Sequence, residues 1–193
     1  MTDLLDRTAP TDTPILDVLS QRWSTRAFDG ATAIDEDALA AALEAARWSP
    51  SAFNNQPWRF IVARRGSDAH AKVVDSLVAF NQAWAASAGA LVVFVAELSR
   101  DGREFPSALY DLGQAAAHFT VQAHSGGLAT HQMTGFDPDA VAAAFGLDGD
   151  LRPFTVMAVG AAGTIDDAPV ASRDGERAPR VRRPIVESAV VNA

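Results

Sequence analysis

The sequence contains no cysteine, so it can form neither a disulfide nor a thiolate metal site, and it has no cysteine nucleophile. It also lacks a long hydrophobic run: the longest apolar stretch, over 85–96, is too short to span a bilayer and predicts a buried strand with its lead-in. Positive charge is scarce, because 16 Lys and Arg face 24 Asp and Glu and the net charge is -8. That balance argues against nucleic acid and anionic membranes as partners. The acidic start has no apolar core, so we predict no signal peptide and expect a cytoplasmic location.

Several common catalytic and cofactor motifs are missing as well. There is no nucleophile-elbow pentapeptide and no Walker loop, and the run Gly160-Ala161-Ala162-Gly163 departs from the dinucleotide-binding fingerprint. His118, His124 and His131 are spaced by six and seven positions rather than by the four that pair ligands on a helix. We therefore predict no metal site.

The 193 residues suffice for one domain, which we place at 15–193 after a mobile N-terminal tail over 1–14. Hydrophobic periodicity and capping residues predict helices over 15–21, 35–47, 67–80, 109–123 and 137–145, strands over 60–63, 91–96, 154–159 and 185–191, and loops over 98–107 and 161–181. Alternating helices and strands of this kind are typical of a layered α+β or α/β domain.

The first candidate site is the segment 22–28, in which Arg22, Ser24 and Arg26 alternate. In an extended chain these three side chains face the same way. Two guanidinium groups with a hydroxyl between them suit a phosphate or another anion with several acceptor atoms. The alternative interpretation is a solvated basic turn, which composition alone favours.

The second candidate site is the polar run over 49–60, where Pro50 and Pro57 bracket hydroxyls and amides just before a strand. The prolines stiffen the loop, and each amide offers both a donor and an acceptor to the edge of a heterocycle. A turn with capping amides is an equally good interpretation.

Two further segments are candidates. Gly135, in the segment 126–136, would permit close approach of a planar ligand to the backbone, although a plain connection between helices is the alternative. Four arginines crowd into 177–183 of an otherwise acidic chain and could complete an anion site with Arg22, although such charge runs usually form solvated loops.

Taken in order, these motifs resemble the nitroreductase family of FMN-dependent oxidoreductases. The resemblance covers nearly everything from Ile15 to Val190. Its specific parts are Arg22-x-Ser24-x-Arg26-x-Phe28, Pro50-Ser51-x-x-Asn54-x-Gln56-Pro57-Trp58, the segment 127–136 and an arginine pair before Pro184.

The resemblance implies an α+β fold, a three-layer α/β/α sandwich around a mostly antiparallel sheet. It also implies an intertwined homodimer with exchanged C-terminal segments and an FMN at each interface. Arg22, Ser24 and either Arg182 or Arg183 would hold the phosphate, Arg26 would lie beside the N1 and O2 edge of the ring, and Met133, Thr134 and Gly135 would face N5. The remaining cofactor-binding positions that the resemblance implies are Trp23, Asn81 and, from the other chain, Pro50, Ser51, Ala52, Asn54 and Gln56.

The activity implied is hydride transfer from NADH or NADPH, through the flavin, to a small electrophilic acceptor such as a nitroaromatic, quinone, enone or aldehyde. Both substrates would use one slot in turn, giving ping-pong kinetics, and no catalytic acid or base would be required of the protein. The alternative from another class is an FMN-binding carrier or sensor without catalytic activity. Reductive dehalogenation or flavin fragmentation would require lid elements that the sequence does not show.

Overall fold

The structure, a computed structural model, describes residues 7–189. The helices are α1 (Asp17–Gln21), α2 (Glu36–Arg47), α3 (Asp68–Ser76), α4 (Ala79–Ala85), α5 (Ala108–Ser125), α6 (Pro138–Phe145), α7 (Arg173–Arg177) and α8 (Ile185–Ser188). The strands are β1 (Trp58–Arg64), β2 (Ala90–Glu97), β3 (Ser99–Arg100), β4 (Arg103–Glu104), β5 (Ala129–Met133) and β6 (Leu151–Gly160). Short 3-10 turns occupy Ala52–Asn54, Ile165–Asp167 and Val170–Ser172.

A four-stranded sheet in the order β1-β2-β6-β5 forms the centre of the molecule, and every neighbouring pair is antiparallel. All of β2 is buried, which explains why it appears in the sequence as a continuous apolar run rather than an alternating one. Its side chains still alternate between the two faces of the sheet, as the pleat requires. Val92 and Phe94 enter one hydrophobic cluster, whereas Val93 and Val95 enter the other.

Helices cover both faces of this sheet. On one face α2 packs against α5, and Leu39, Leu112 and Phe119 join the cluster that contains Val92. On the other face α3, α4 and α6 supply the cluster that includes Val73 and Trp84. The predicted three-layer α/β/α sandwich with an antiparallel sheet is therefore confirmed. No helix within residues 7–189 combines the length and the apolarity needed to cross a bilayer.

Side-chain caps account for several helix boundaries that the sequence predicts. The carboxylate of Asp35 accepts from the backbone N–H of Ala38 and begins α2, and Asp137 does the same for two N–H groups of α6, directly before Pro138. Gly146 then ends α6 in the left-handed conformation that favours glycine.

Two predicted elements are wrong. The predicted helix over 67–80 is broken into α3 and α4, because Leu77 forms a bridge with Phe136 and Val78 donates its N–H to the carbonyl of Gly135. The predicted final strand over 185–191 is instead a helical turn, α8, where Glu187 donates back to the carbonyl of Pro184. Residues 190 and 191 of that prediction lie outside the described residues.

Other elements were not predicted. The strand β5 lies within the segment 126–136, and β3 and β4 form a small hairpin within the predicted loop over 98–107. The predicted loop over 161–181 contains two 3-10 turns and α7. The mobility of the tail stays a prediction, since residues 1–6 lie outside the described range, although Ala9 already donates to the carbonyl of Ser20.

Candidate functional site

The segment 22–28 runs in extended form along the outer edge of the sheet, beside β5. Ser24 forms a parallel bridge with Thr130, and Phe28 forms an antiparallel bridge with Ala162. Thr25 and Ala27 are buried, whereas Ser24 is exposed. The alternation that the sequence suggests is thus present, and it leaves Arg22, Ser24 and Arg26 on the accessible side.

These accessible side chains line a pocket of about 320 Å³ with a strongly positive wall. Its basic residues come from three separate parts of the chain and are Arg7, Arg22, Arg26, Arg180 and Arg182. Burial lowers the pKa of Arg22, and the neighbouring charge of Arg182 lowers it further. Burial also lowers the pKa of Arg180, assisted by the charges of Arg22, Arg182 and Arg7. Guanidinium groups that repel one another in this way favour an anionic ligand between them.

Two of the arginines also have unused hydrogen-bonding capacity. The Nε atoms of Arg22 and Arg26 are buried and have no hydrogen-bond partner among the described residues. Buried polar atoms are nearly always bonded, so an orphaned donor in a pocket calls for an acceptor from a ligand or from water. A phosphate offers several acceptors and two negative charges, and it fits this donor set.

The guanidinium group of Arg26 packs against aromatic rings rather than against a carboxylate. Its guanidinium carbon lies 5.3 Å from the ring centre of Phe80 and 6.0 Å from that of Trp84. Trp84 in turn packs against His131 with ring centres 4.4 Å apart. The positive charge of Arg26 is therefore held over two aromatic rings, whose faces attract a cation.

Within the described part of the chain, the C-terminal end of β5 shares no lining residue with the pocket that the arginines form. Gln132, Met133 and Thr134 line a separate cavity of about 230 Å³ together with residues of α5 and β6. A Cβ atom at Gly135 would lie 2.6 Å from Nδ2 of Asn81, which donates to the Gly135 carbonyl at 3.0 Å. Glycine at this position makes room for Asn81, and Asn81 fixes the backbone that follows β5.

The amide-rich loop, residues 51–56, protrudes into solvent. Phe53, Asn54 and Gln56 all have φ between 51° and 54°, a conformation that costs a non-glycine residue roughly 1–3 kcal/mol. The loop is held from within by the Ser51 hydroxyl, which accepts from the Gln56 N–H at 3.0 Å, and from outside by Asp111. Strain of this kind concentrates at binding sites. The side chains of Asn54 and Gln56 are both exposed, and Nε2 of Gln56 donates to the carbonyl of Asn54 at 3.1 Å.

The two sets of candidate residues lie at opposite ends of α5. Asp111, in the first turn of the helix, accepts from the Ala52 N–H at 3.1 Å. At the other end, Trp23 and His124 line one small cavity. Asp111 and His124 are separated by 13 residues of helix, which corresponds to roughly 20 Å. The structure therefore brings Arg22, Ser24 and Arg26 together but does not bring the amide-rich loop to the arginines within one chain.

The two arginines before Pro184 differ in the cavities that they line. Arg182 lines both the pocket of about 320 Å³ and a larger neighbouring cavity of about 790 Å³, whereas Arg183 lines only the larger cavity, which Arg22 also lines. Arg180 also reaches the pocket, and its Nη1 donates to the carbonyls of Arg7 and Ser20 at 2.7 and 2.5 Å.

Sequence reasoning missed two residues of the pocket: Arg7, which lies in the predicted tail, and Glu176. The carboxylate of Glu176 is 3% exposed and accepts from Trp23, Thr25 and Arg26, more than 140 positions away. It lies in a segment rich in Asp, Ala, Pro and Arg that resembles a surface loop, and no local pattern marks it.

The chain is similar to known proteins in both sequence and structure. The model of the nitroreductase family matches residues 19–83 and 67–161. An uncharacterised 15.4 kDa protein of Mycolicibacterium smegmatis is 39% identical over 134 residues, covering 64% of this chain and 88% of that protein. The oxygen-insensitive NAD(P)H nitroreductase of Salmonella typhimurium is 38% identical over 92 residues, 45% of this chain and 41% of the enzyme. A crystal structure described as an oxidoreductase containing FMN superposes with a TM-score of 0.87 at 28% identity, covering 100% of this chain and 96% of that one.

Proposed function

Because the chain belongs to the nitroreductase family, we propose that it is an FMN-dependent oxidoreductase that transfers hydride from NADH or NADPH to a small electrophilic acceptor. The acceptor class comprises nitroaromatics, quinones, enones and aldehydes. The proposal rests on the pocket that Arg22, Ser24, Arg26 and Arg182 line together. The buried Nε atoms of Arg22 and Arg26 have no hydrogen-bond partner among the described residues and could donate to an anion. The FMN named in the description of the structural neighbour supports this choice of cofactor.

Within this site Arg22, Ser24 and Arg182 hold the phosphate through charge-assisted hydrogen bonds. Arg26 would lie near the N1 edge of the bound ring, where its charge would favour the reduced form. FMN, when bound, supplies the hydride chemistry. The protein orients the ring and leaves one face open, so that donor and acceptor occupy the same slot in turn, with ping-pong kinetics.

The amide-rich loop completes the site of a second chain. Three observations support this part of the proposal: the loop is exposed, it lies at the end of α5 remote from Arg22, and exposed aromatic residues surround it. Trp48, Phe53 and Tyr110 are each more than 70% exposed, and such an apolar patch marks an interface. A homodimer would bury this patch and place Ser51, Asn54 and Gln56 of one chain beside the FMN held by the other.

The spectrum of the purified protein tests the proposed function. We expect a yellow dimer with one FMN per chain, bleached by NADH or NADPH without oxygen and recoloured by a quinone or nitroaromatic. A colourless protein that does not take up added FMN would contradict the FMN site. Tight FMN binding without reduction by either nicotinamide would instead indicate the carrier or sensor.

Substitution of Arg22 tests the assignment of the phosphate site. A charge-assisted contact contributes about 1.5–3 kcal/mol, so Arg22→Ala should weaken FMN binding by roughly tenfold to a hundredfold. The matched control is Arg64→Ala, which removes an exposed arginine, paired with Glu36, on the strand β1 at the opposite edge of the sheet from β5. Equal FMN affinities of the two variants would show that Arg22 does not bind the phosphate.

A further inference from the structure

The arginine pocket is the cavity lined by Arg7, Arg22, Arg26, Arg180 and Arg182. The buried carboxylate of Glu176 accepts hydrogen bonds from the segment 22–28, which lines this pocket. Its Oε1 accepts from the backbone N–H of Arg26 at 2.8 Å. Its Oε2 accepts from the Thr25 hydroxyl at 3.0 Å and from the indole N–H of Trp23 at 3.2 Å. Three of the four residues between Arg22 and Ala27 are therefore fixed by one side chain of α7.

The backbone around Glu176 is held just as firmly. The guanidinium of Arg7 donates to the carbonyl of Gly175 at 3.1 Å and also to the carbonyl of Glu176. Arg180, four residues further on, donates to the carbonyl of Arg7. The position of α7 is thereby locked relative to both the N-terminal segment and the extended segment.

This arrangement has an electrostatic consequence for the pocket. A buried carboxylate is stable only where hydrogen bonds and opposite charges replace its hydration. Glu176 lines the same pocket as the five arginines and is the one acidic side chain among the described residues that do so. Its charge offsets part of their mutual repulsion while no anion is bound.

We infer that Glu176 is a positioning residue, which preorganises the extended segment so that Arg22 and Ser24 meet a phosphate with their donors already aimed. It acts through Trp23, Thr25 and Arg26 and does not itself touch the cofactor. The inference rests on the proposed assignment of the FMN phosphate to Arg22 and Ser24. Preorganisation matters because immobilising a flexible segment on binding subtracts directly from affinity.

A glutamine at this position tests the requirement for two acceptor oxygens. In Glu176→Gln the amide nitrogen replaces one acceptor and faces the donors of Arg26 or of Trp23 and Thr25. The matched control is Glu36→Gln, which changes the net charge equally but lies on the exposed surface in a pair with Arg64. Glu176→Asp keeps the carboxylate on a shorter side chain and serves as the conservative variant.

The measurement is the affinity of each apoprotein for FMN and for riboflavin, which lacks the phosphate. We expect Glu176→Gln to lose about tenfold in FMN affinity and far less in riboflavin affinity, Glu176→Asp to lose less FMN affinity than Glu176→Gln, and Glu36→Gln to match the parent. A residue that serves only stability would change both ligands alike, with the change following the melting temperature.

Two outcomes would overturn the inference. One is an FMN affinity in both Glu176 variants that equals or exceeds that of the parent protein. The other is an equal loss for the two ligands. Should Glu176→Gln fail to fold, the ratio measured for Glu176→Asp decides alone. Failure of the proposed phosphate site is recognised separately, since Arg22→Ala would then bind FMN as tightly as the parent.

Discussion

Arg26 carries a positive charge that no carboxylate neutralises through an ion pair within residues 7–189, and it lies over the rings of Phe80 and Trp84. In the proposed site this charge stabilises the reduced ring more than the oxidised one. Replacing Arg26 with Gln keeps a donor and removes the charge. A loss of about 1.4 kcal/mol of that preference corresponds to a two-electron potential lower by about 30 mV.

Redox titration of bound FMN in Arg26→Gln beside the parent protein measures this shift. Reduction by NADH or NADPH should slow, since the driving force for it falls. Arg64→Gln, which alters the exposed pair with Glu36, should leave the potential as it is. An unchanged or raised potential in Arg26→Gln would mean that Arg26 is not at the N1 edge.

His131 makes stability depend on pH. Burial lowers its pKa below the ordinary 6.5, against the opposing effect of the Thr25 carbonyl 2.8 Å from Nδ1. The neutral ring donates Nδ1–H to that carbonyl. Below pH 6.5 the unfolded chain takes up a proton that the folded chain resists, so stability is complete above pH 6.5 and is lost as the pH falls.

We expect the free energy of unfolding, measured by urea titration, to decline between pH 7.5 and 5.5. His131→Asn keeps a donor near the Thr25 carbonyl but cannot titrate, so its decline should be shallower. Burial also lowers the pKa values of His70 and His124, and part of the slope should therefore remain. A slope identical to that of the parent would contradict this role of His131.

At the scale of single residues, local sequence patterns predict which side chains lie on the same face of a segment. They do not predict contacts between residues that are far apart in the sequence. The alternation of Arg22, Ser24 and Arg26 follows from extended geometry alone. Glu176 could not be predicted, because its partners lie 150 to 153 positions away. Whether these residues bind FMN stays a prediction until the variants are measured.

At the scale of the elements, α5 is joined to the amide-rich loop by the buried carboxylate of Asp111, which accepts from the Ala52 N–H. Asp111→Ala should lower the free energy of unfolding by about 1–3 kcal/mol, because a backbone donor loses its acceptor. It should also weaken FMN binding several-fold if, as proposed, the loop contacts the cofactor of the other chain, since the loop is then no longer held.

Asp137→Ala provides the matched control for this prediction. It also removes a carboxylate that accepts from backbone N–H groups, at the start of α6, and should cost about 1 kcal/mol. Its FMN affinity should stay at the parent value. Fluorescence titration with FMN compares the two variants, and equal affinities would show that Asp111 matters for stability alone.

The elements predicted best are those with strong periodicity and a side-chain cap, such as α2, α6 and the buried β2. The elements missed are short or depend on tertiary partners. The strand β5 contains Thr130, His131 and Gln132, which resemble a polar connection, and it is a strand because β6 lies beside it. The break between α3 and α4 likewise arises from the bridge between Leu77 and Phe136.

For the whole molecule, the decisive question is whether each FMN is shared between two chains. One variant, Arg22→Ala, damages the arginine pocket, and a second, Asn54→Ala combined with Gln56→Ala, damages the amide-rich loop. Each homodimer would carry two defective sites. A mixed dimer purified with two different tags would combine both lesions in one site and leave the other site intact.

We therefore expect the mixed dimer to bind one FMN with the affinity of the parent protein, measured by stoichiometric titration. If all contacts came from a single chain, both sites of the mixed dimer would be damaged and no site of normal affinity would appear. The order of the motifs along the sequence is enough to predict the layered fold. Whether the FMN site is divided between two chains depends instead on how the chains associate, which the order of motifs in one chain does not determine.

The hydrogen bonds that close the arginine pocket also connect the beginning and the end of the described chain. Arg7 and Ala9 are bonded to residues 175, 176 and 20, and Arg180 is bonded back to Arg7. Under mechanical tension applied at residues 7 and 189, these few contacts bear the load first. The long ladder between β2 and β6 lies within the part of the chain that these contacts enclose. A chain pulled at residues 7 and 189 should thus lose the contacts that hold the pocket together while the sheet is still folded.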